Sequence, residues 1–426
     1  MKRIVARLAL SSGAAVAPTL ALAQSIGAGT SIVIDPHLYR QDVAGARIEP
    51  AFRPHPVLIG PVFAQPGISV VGGYESNVFN GPEGAAAAVV TVIPSLSLQA
   101  DMPRHALNLS TSGTFRRFSR YRTENSEEFA LEAGARLDLG ERQTVKTSAG
   151  FAHLIEPRSS AGSVPDAAEP VSYGRLLAET SIGFNIGKFR LSPGLRYQSL
   201  RYGAVALLGG GKADQSFRDT QSIAGDIRLD YDFSGLVSAF IGGGHENIKS
   251  TSTRGPLRRD SRTRSVYAGL NGELSRLVSG EVALGYQSRD YAEPTYRDFH
   301  GLTFRADLQW YVSPLMTLRA EASRAFRNSG DRRVGGILTD AFVLSAYHDP
   351  LPNLRLAASA RLERGDYGEV GTRTWRKSAR LQAQYRLTPV LSFGGYAGFL
   401  RQDVSGPPLV NRFASFSAGF GLTATS

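Results

Sequence analysis

The last residues of the chain change character at every position. Between Ala414 and Thr425, apolar side chains alternate with Ser, Thr or Gly. A helix turns by about 100° per residue and would scatter the apolar groups around its circumference, whereas a strand places all of them on one face. The stretch therefore predicts a β-strand with one apolar face and one face of small polar residues.

The same alternation returns along most of the chain, often with long polar side chains on the second face. From Phe129 to Asp138 and from Leu354 to Glu363, Arg and Glu stand between Leu, Ala and Phe. A soluble sandwich also alternates, but it needs apolar layers for these faces to pack against, and the sequence offers neither apolar helices nor continuous apolar segments for this. The repetition therefore favours strands whose apolar faces contact lipid.

Two kinds of connection alternate between these strands. Short ones have tight-turn composition, as at Gly187-Lys188 and Ser234-Gly235. The longer polar ones include 119–125, 156–171, 203–216 and 403–410. Eight short and nine long connections predict about 18 strands, with 16 as the lower bound. Alternating short turns and long loops are typical of bacterial outer-membrane proteins. The predicted fold class is therefore all-β, a transmembrane antiparallel up-and-down β-barrel.

Aromatic residues gather at both ends of the predicted strands. Tyr231 and Phe233 precede one short turn, Trp310 and Tyr311 precede another, and Tyr202 lies at the opposite end of its strand. Because Tyr and Trp favour the membrane–water interface, two such belts support membrane insertion. We therefore expect a location in the bacterial outer membrane, with membrane lipid, lipopolysaccharide and the barrel assembly machinery as partners.

The first residues have the composition of a secretory signal peptide. Lys2, Arg3 and Arg7 flank an apolar segment, and Ala21-Leu22-Ala23 predicts cleavage before Gln24. No later segment approaches the roughly 18 apolar residues of a membrane-spanning helix. The predicted organisation is a signal peptide at 1–23, a Pro-rich periplasmic lead-in segment at 24–65 and a barrel at 66–426.

Composition narrows the possible functions. The chain has no cysteine, which excludes disulfides, Cys-based metal sites and an N-terminal lipid anchor. Its formal net charge is +11, and removal of the three basic residues of the signal peptide leaves +8. In a secreted chain without a nucleic-acid motif, this excess favours lipopolysaccharide or an anionic solute over nucleic acid as a partner.

The start of the predicted barrel resembles the β-barrel porin type 2 family. Residues 68–79 read ISVVGGYESNVF and follow a Pro-rich stretch, as in the first strand of that family. The family-motif positions are Gly73, Tyr74, Asn77 and Phe79. The sequence departs from the family at Glu75-Ser76, where two acidic residues are usual, and at Phe79, where Tyr is common. The resemblance covers nearly the whole mature chain and implies an outer-membrane barrel often associated with exopolysaccharide production and export.

A catalytic site would need a nucleophile, a base and an orienting group brought together. The seven His residues are dispersed along the sequence, and His245-Glu246 is the compact polar cluster that contains one. We therefore predict that the protein is not an enzyme and has no cofactor or metal ion. The alternative is an outer-membrane enzyme that acts on lipid or glycan through His245 or Glu246.

Arginines fall on the polar phase of many predicted strands, where they would line the lumen. The candidates are Arg136, Arg190, Arg196, Arg228, Arg305, Arg319, Arg361, Arg376, Arg380 and Arg386. Acidic residues on the same phase predict ion pairs that stiffen the wall, while guanidinium groups suit solutes that carry carboxylate or phosphate.

Together with the alternation and the aromatic belts, these arginines predict a porin-like barrel that passes polar, anionic solutes. The family resemblance implies the other version of this function, in which the barrel assists exopolysaccharide export. Polysaccharide or periplasmic export components would then be its partners. A plugged structural or adhesive barrel, filled by the segment 24–65 or the loop 203–216, is a further alternative.

Overall fold

The computed structural model describes residue 32 and residues 39–160, 162–164, 166–252 and 258–426. The predicted signal peptide lies outside the described residues. Within the described part, no helix is long and apolar enough to cross a membrane. Helical structure there is limited to short 3-10 turns at Pro50–Phe52, Arg122–Glu124 and Ser216–Arg218.

Long strands make up almost all of the described structure. Each of them exceeds the roughly 9–11 residues that a tilted transmembrane strand needs. In chain order they are β1 Val62–Glu75, β2 Ala87–Asp101, β3 His105–Phe118, β4 Ser126–Asp138, β5 Gln143–Ile155, β6 Ser172–Ile186, β7 Phe189–Tyr202, β8 Thr220–Asp232, β9 Val237–Ser250, β10 Ser261–Ser275, β11 Val278–Tyr291, β12 Phe299–Ser313, β13 Met316–Asn328, β14 Gly336–Leu351, β15 Leu354–Tyr367, β16 Thr372–Arg386, β17 Leu391–Ser405 and β18 Phe413–Thr425.

The strands close into a barrel. β1 pairs with β2 on one side and with β18 on the other, from Gly67 opposite Thr425 to Glu75 opposite Ser417. Each remaining strand pairs antiparallel with its neighbours in sequence. The predicted antiparallel up-and-down barrel of 18 strands is thereby confirmed. Closure satisfies backbone groups that an open edge would leave unpaired in lipid.

The first strand begins earlier than the sequence analysis placed it. β1 starts at Val62, inside the segment assigned to the lead-in, and a short strand at Val57–Ile59 folds back onto its first residues. Gly60 lies between these two strands with φ at +59°, a conformation that glycine adopts without steric cost. Gly60-Pro61 has turn composition and lies between two apolar segments, which is the pattern of a hairpin. The many prolines around it led the sequence analysis to assign an irregular segment instead.

Short turns and long loops lie at opposite ends of the barrel. The predicted loops 119–125 and 156–171 agree with the structure in both bounds. The last loop spans 406–412 rather than 403–410, because β17 keeps pairing with β16 as far as Ser405. The barrel begins at Val62 and ends at Thr425, and both positions lie at the end with the short turns, which is the periplasmic end in outer-membrane barrels.

The two faces of the wall differ sharply in chemistry. Leu284, Leu302 and Phe420 point outward and are 73%, 71% and 66% exposed, as expected for side chains that contact lipid. The alternate positions point inward and carry most of the wall's polar residues. Buried apolar residues of the described chain form small separate clusters. The apolar surface of the wall is therefore on the outside, and most of its polar side chains line the lumen.

Candidate functional site

Ion pairs brace the inner wall. Arg228 on β8 contacts Asp230 at 2.8 Å and reaches past two strands to Glu281 on β11 at 3.0 Å. Its guanidinium also lies 3.6 Å from the ring centre of Phe240 on β9. The Arg228 side chain is only 7% exposed, so both charge and ring contacts are largely shielded from water.

Similar pairs occur on the strands that follow. Arg319 on β13 contacts Asp307 on β12 at 2.8 Å and Glu321 on its own strand at 3.0 Å. Glu363 on β15 accepts hydrogen bonds from Arg361 on its own strand at 2.5 Å and from Arg376 on β16 at 3.3 Å. These contacts connect neighbouring strands through charge-assisted hydrogen bonds.

Charge is distributed unevenly around the lumen. On β13–β16, which we call the basic sector, inward arginines outnumber inward carboxylates. These arginines are Arg319, Arg327, Arg355, Arg361, Arg376, Arg380 and Arg386, against Glu321, Asp349 and Glu363. On β8–β11, the acidic sector, the balance is reversed. Its inward carboxylates are Asp226, Asp230, Asp232, Glu246, Glu273 and Glu281, against Arg228 and Arg289. A solute in the lumen would therefore meet walls of opposite charge.

The arginines singled out from the sequence all occupy inward strand positions. They are Arg136, Arg190, Arg196, Arg228, Arg305, Arg319, Arg361, Arg376, Arg380 and Arg386. Half of this set belongs to the basic sector, and Arg228 braces the acidic sector. The others lie on β4, β7 and β12, and among these Arg196 stands directly opposite Glu179 of β6. The structure thus brings together the C-terminal candidates and separates the rest.

Two residues of the family motif lie on opposite faces of β1. Gly73 points inward, where a Cβ atom would lie 2.9 Å from the hydroxyl oxygen of Tyr396. Tyr74 points outward and is 46% exposed. Gly73 therefore leaves room for an aromatic side chain of β17, while Tyr74 faces the membrane side of the wall.

The other two motif residues build the first long loop. Asn77 donates hydrogen bonds through Nδ2 to the carbonyl oxygens of Gly81, at 2.8 Å, and Ala414, at 3.0 Å. The ring of Phe79 packs edge-on against Tyr121, with centroids 4.9 Å apart. Asn77 therefore fastens this loop to the start of the last strand, and the motif serves the structure of the rim.

Buried ion pairs hold the loop 156–171 at the extracellular mouth. Arg158 pairs with Glu124 from the preceding loop, and Arg218 pairs with Glu156 through hydrogen bonds of 2.7 and 2.8 Å. Burial opposes the charge on Arg218, but its hydrogen bonds to Glu156 outweigh this effect and raise the pKa of Arg218 above its usual range. Three consecutive loops are thereby joined.

This loop also reaches the basic sector. Arg376 on β16 donates a hydrogen bond to the carbonyl oxygen of Ser159, 217 residues away in sequence. A second contact joins other loops, because Arg259 donates to the carbonyl oxygens of Ser329, at 2.5 Å, and Asp331. The extracellular loops therefore extend over the mouth of the lumen and contact one another, which the sequence analysis did not predict.

The opposite mouth contains part of the lead-in segment. Residues 39–49, which we call the inner segment, contact inward-facing side chains near the periplasmic ends of several strands. The backbone N–H of Tyr39 donates to Gln309 at 2.7 Å, and that of Gly45 donates to Asp349 at 3.0 Å. The sequence analysis placed this segment in the periplasm. The structure puts it inside the barrel, where wall side chains satisfy its backbone polar groups.

Charge and apolar contacts add to this attachment. Arg40 pairs with Glu273 at 3.1 Å and lies 4.5 Å from the ring centre of Tyr311. Val43 is buried against Tyr311 and Tyr347. Burial also raises the pKa of the Tyr39 hydroxyl to about 12, so this group stays neutral. The inner segment is thus packed into the lumen of the described barrel on one side.

The residues of the enzyme alternative do not form a site. His245 and Glu246 are consecutive on β9 and therefore point to opposite faces of the wall. Within the described chain, Asp290, Asp298 and His300 have potential ligand atoms within 4.8 Å of one another. They lie on the outer rim, where Asp298 already accepts a hydrogen bond from the backbone N–H of Tyr291 at 2.7 Å. Such exposed acidic groups are common without an ion.

Comparison with protein families identifies this architecture. A family model described as "Putative beta-barrel porin 2" matches residues 49–407. The chain belongs to this family. The resemblance seen in the first strand is therefore confirmed, and the porin family and its barrel fold indicate an outer-membrane protein. A search of curated proteins finds no match to this chain.

Three solved structures resemble the barrel at low sequence identity. The ferric enterobactin receptor PfeA of Pseudomonas aeruginosa is 8% identical, with a TM-score of 0.47 over 85% of this chain and 80% of that one. The siderophore receptor PiuA of Acinetobacter baumannii is 11% identical, with a TM-score of 0.45 over 87% and 82%. The outer membrane protein opdK of Pseudomonas aeruginosa is 10% identical, with a TM-score of 0.44 over 85% and 99%.

Proposed function

We propose that this porin-family barrel passes polar, anionic solutes across the outer membrane. The observation that carries the proposal is the basic sector on β13–β16. Its arginines face the lumen from adjacent strands, and planar guanidinium groups bind carboxylate and phosphate through paired hydrogen bonds. The acidic sector repels the same groups. An anionic solute would therefore travel along one side of the lumen.

The path is restricted at both mouths. The inner segment occupies part of the periplasmic mouth, and the loop 156–171 touches the basic sector through Ser159 and Arg376. A solute that follows the arginines must pass both. This favours selective passage of small solutes over free diffusion of large ones.

Exopolysaccharide export is a finer version of the same proposal. The family resemblance motivates it, and a polysaccharide that carries carboxylates would meet the same arginines. Export of a polymer also requires that the inner segment leave its position. Comparison of secreted polysaccharide in a deletion strain and its parent tests this version, and unchanged amount and size would contradict it.

Reversal potentials in planar bilayers under a salt gradient test anion passage directly. Changing Arg380 and Arg386 together to Gln removes two lumen charges and leaves Arg376, which holds the loop. We expect the wild type to favour anions and the double variant to lose much of that preference. The effect should fade in about 1 M salt, where the screening length falls to about 3 Å.

Lys377→Gln is the matched control for this experiment. Lys377 lies on the same strand as Arg380 but points outward, so its neutralisation should leave ion preference unchanged. Equal shifts in the control and the double variant would contradict a role for the basic sector. A well-folded double variant with wild-type selectivity would do so as well.

A closed structural barrel is the second candidate. The contacts at both mouths favour it, because the inner segment and the loop 156–171 each reduce the opening. Such a barrel would insert into bilayers without measurable conductance. Membership of a porin family favours a conducting or a closed barrel over an enzyme. So does the placement of His245 and Glu246 on opposite faces of β9.

A further inference from the structure

The outer face of β15–β17 carries charged residues close to the extracellular end. These positions alternate with the lumen-facing ones and belong to the surface that meets the membrane. We call this set the outer-face cluster. Its members are Arg364, Asp366, Arg373, Lys377, Arg401 and Asp403. None of these residues takes part in the basic sector or in the loop contacts described above.

Each carboxylate of the cluster serves two cations. Asp366 lies 3.4 Å from Arg364 on its own strand and 3.2 Å from Arg373 on β16. One carboxylate cannot neutralise two guanidinium groups, so this half of the cluster keeps one net positive charge. The Arg373 side chain is 59% exposed and Asp366 only 28%, so the positive group is the one presented to the surroundings.

The second half repeats this arrangement on the neighbouring strands. Asp403 on β17 lies 3.6 Å from Lys377 on β16 and 3.1 Å from Arg401 on its own strand. Both cations are 56% exposed, whereas Asp403 is 26% exposed. The outer-face cluster therefore has two excess positive charges, carried by side chains that extend beyond the carboxylates beneath them.

Neighbouring residues place the cluster at the membrane interface. Trp375 lies between Arg373 and Lys377 on the outer face of β16 and is 40% exposed. Towards the middle of the wall, the outer face becomes apolar, with Leu381 at 62% and Phe399 at 46% exposure. Tryptophan favours the headgroup level of a bilayer. The cluster therefore lies where the headgroups of the outer leaflet begin.

Other ion pairs on the outer face lack this excess charge. Arg117 pairs with Glu127 on β3 and β4, far from the cluster. Arg324 pairs with Asp340 at 2.5 Å on β13 and β14, and Asp340 stands opposite Arg364, so this pair adds one cation and one carboxylate beside the cluster and leaves its excess charge unchanged. Each of these pairs joins one cation to one carboxylate and is electrically neutral. Wall stiffening alone would be served by such neutral pairs, so the additional cations of the outer-face cluster call for an anionic partner.

We propose that the outer-face cluster binds the phosphate groups of the glycolipid that forms the outer leaflet. Four cations on three adjacent strands match a headgroup with more than one phosphate. Arginine contacts phosphate oxygens through paired hydrogen bonds, and lysine adds a point charge. The glycolipid approaches from the side of the membrane, so this binding is independent of transport through the lumen.

Native mass spectrometry of the purified full chain tests the proposal. The probes are lipid A with two phosphates, the same lipid after dephosphorylation, and phosphatidylglycerol. We expect the wild type to retain phosphorylated lipid A in preference to both others. The variant K377Q/R401Q should bind it about fivefold more weakly for each cation removed. This factor corresponds to the binding free energy of about 1 kcal/mol that one basic side chain contributes near an anionic membrane surface.

R117Q is the matched control, because it breaks a neutral pair elsewhere on the outer face. It should bind phosphorylated lipid A as the wild type does. Equal retention of the dephosphorylated lipid would overturn the proposal, and so would equal affinity of K377Q/R401Q and the wild type. Equal binding of phosphatidylglycerol would show general attraction to acidic lipids and overturn the assignment to glycolipid. The wild-type comparison needs no variant, so the lack of a preference for phosphorylated lipid A would overturn the proposal even where K377Q/R401Q fails to fold.

Discussion

Arg228 and Arg136 hold the same kind of position, an inward-facing site on a strand, yet their surroundings differ. Arg228 is 7% exposed and contacts two carboxylates and an aromatic ring. Arg136 is 52% exposed and lies 3.5 Å from Asp138. Removing one partner of a buried pair leaves the other charge uncompensated, whereas water replaces the partner of an exposed pair at little cost.

Arg228→Ala should therefore lower the free energy of unfolding by about 3–5 kcal/mol, because Asp230 and Glu281 lose their counter-charge in a shielded place. Arg136→Ala should cost about 1 kcal/mol or less. Urea unfolding in lipid vesicles, followed by tryptophan fluorescence, measures both. Equal losses in the two variants would show that Arg228 is as well hydrated as Arg136.

At the scale of elements, the strands were predictable and their distant contacts were not. Alternation assigns faces locally, so Arg380 and Leu381 could be given opposite faces from their neighbours alone. The contact between Arg376 and Ser159 depends on how the barrel closes and on the path of a loop 217 residues away, which no local pattern contains. The inner segment has no hydrophobic periodicity that could indicate its position. Its partners, such as Gln309, lie on strands distant in sequence, so its place in the lumen could not be predicted either.

The register of β16 leads to a test with two adjacent residues. Leu381→Arg places a charge on the lipid face, 62% exposed in the wild type, and should cost roughly 2–4 kcal/mol near the bilayer midplane. Gln382→Arg places the same side chain in the lumen and should be tolerated. Folding yield and heat-modified gel mobility report both. A greater loss for Gln382→Arg would shift the register of this strand by one residue.

At the scale of the whole molecule, the wall and the inner segment are held by different kinds of contact. Strand ladders hold the wall through continuous backbone hydrogen bonds. The inner segment is held by a few separate contacts, among them the hydrogen bond of Gly45 to Asp349 and the ion pair of Arg40 with Glu273. Segments with few contacts open at low free-energy cost. If the barrel conducts as proposed, we therefore expect the inner segment to move more readily than the wall.

Deletion of residues 39–49 should raise single-channel conductance, because it clears one side of the periplasmic mouth. Leu208→Ser, at an exposed loop tip where the side chain is 75% exposed, is the control and should leave conductance unchanged. Planar-bilayer recordings of both variants and the wild type make the comparison. A silent wild type and a conducting variant would mean that the inner segment closes the resting barrel. Silence of both, with normal insertion, would favour the closed structural barrel, because the loop 156–171 and its contact with Arg376 would then suffice to block the lumen.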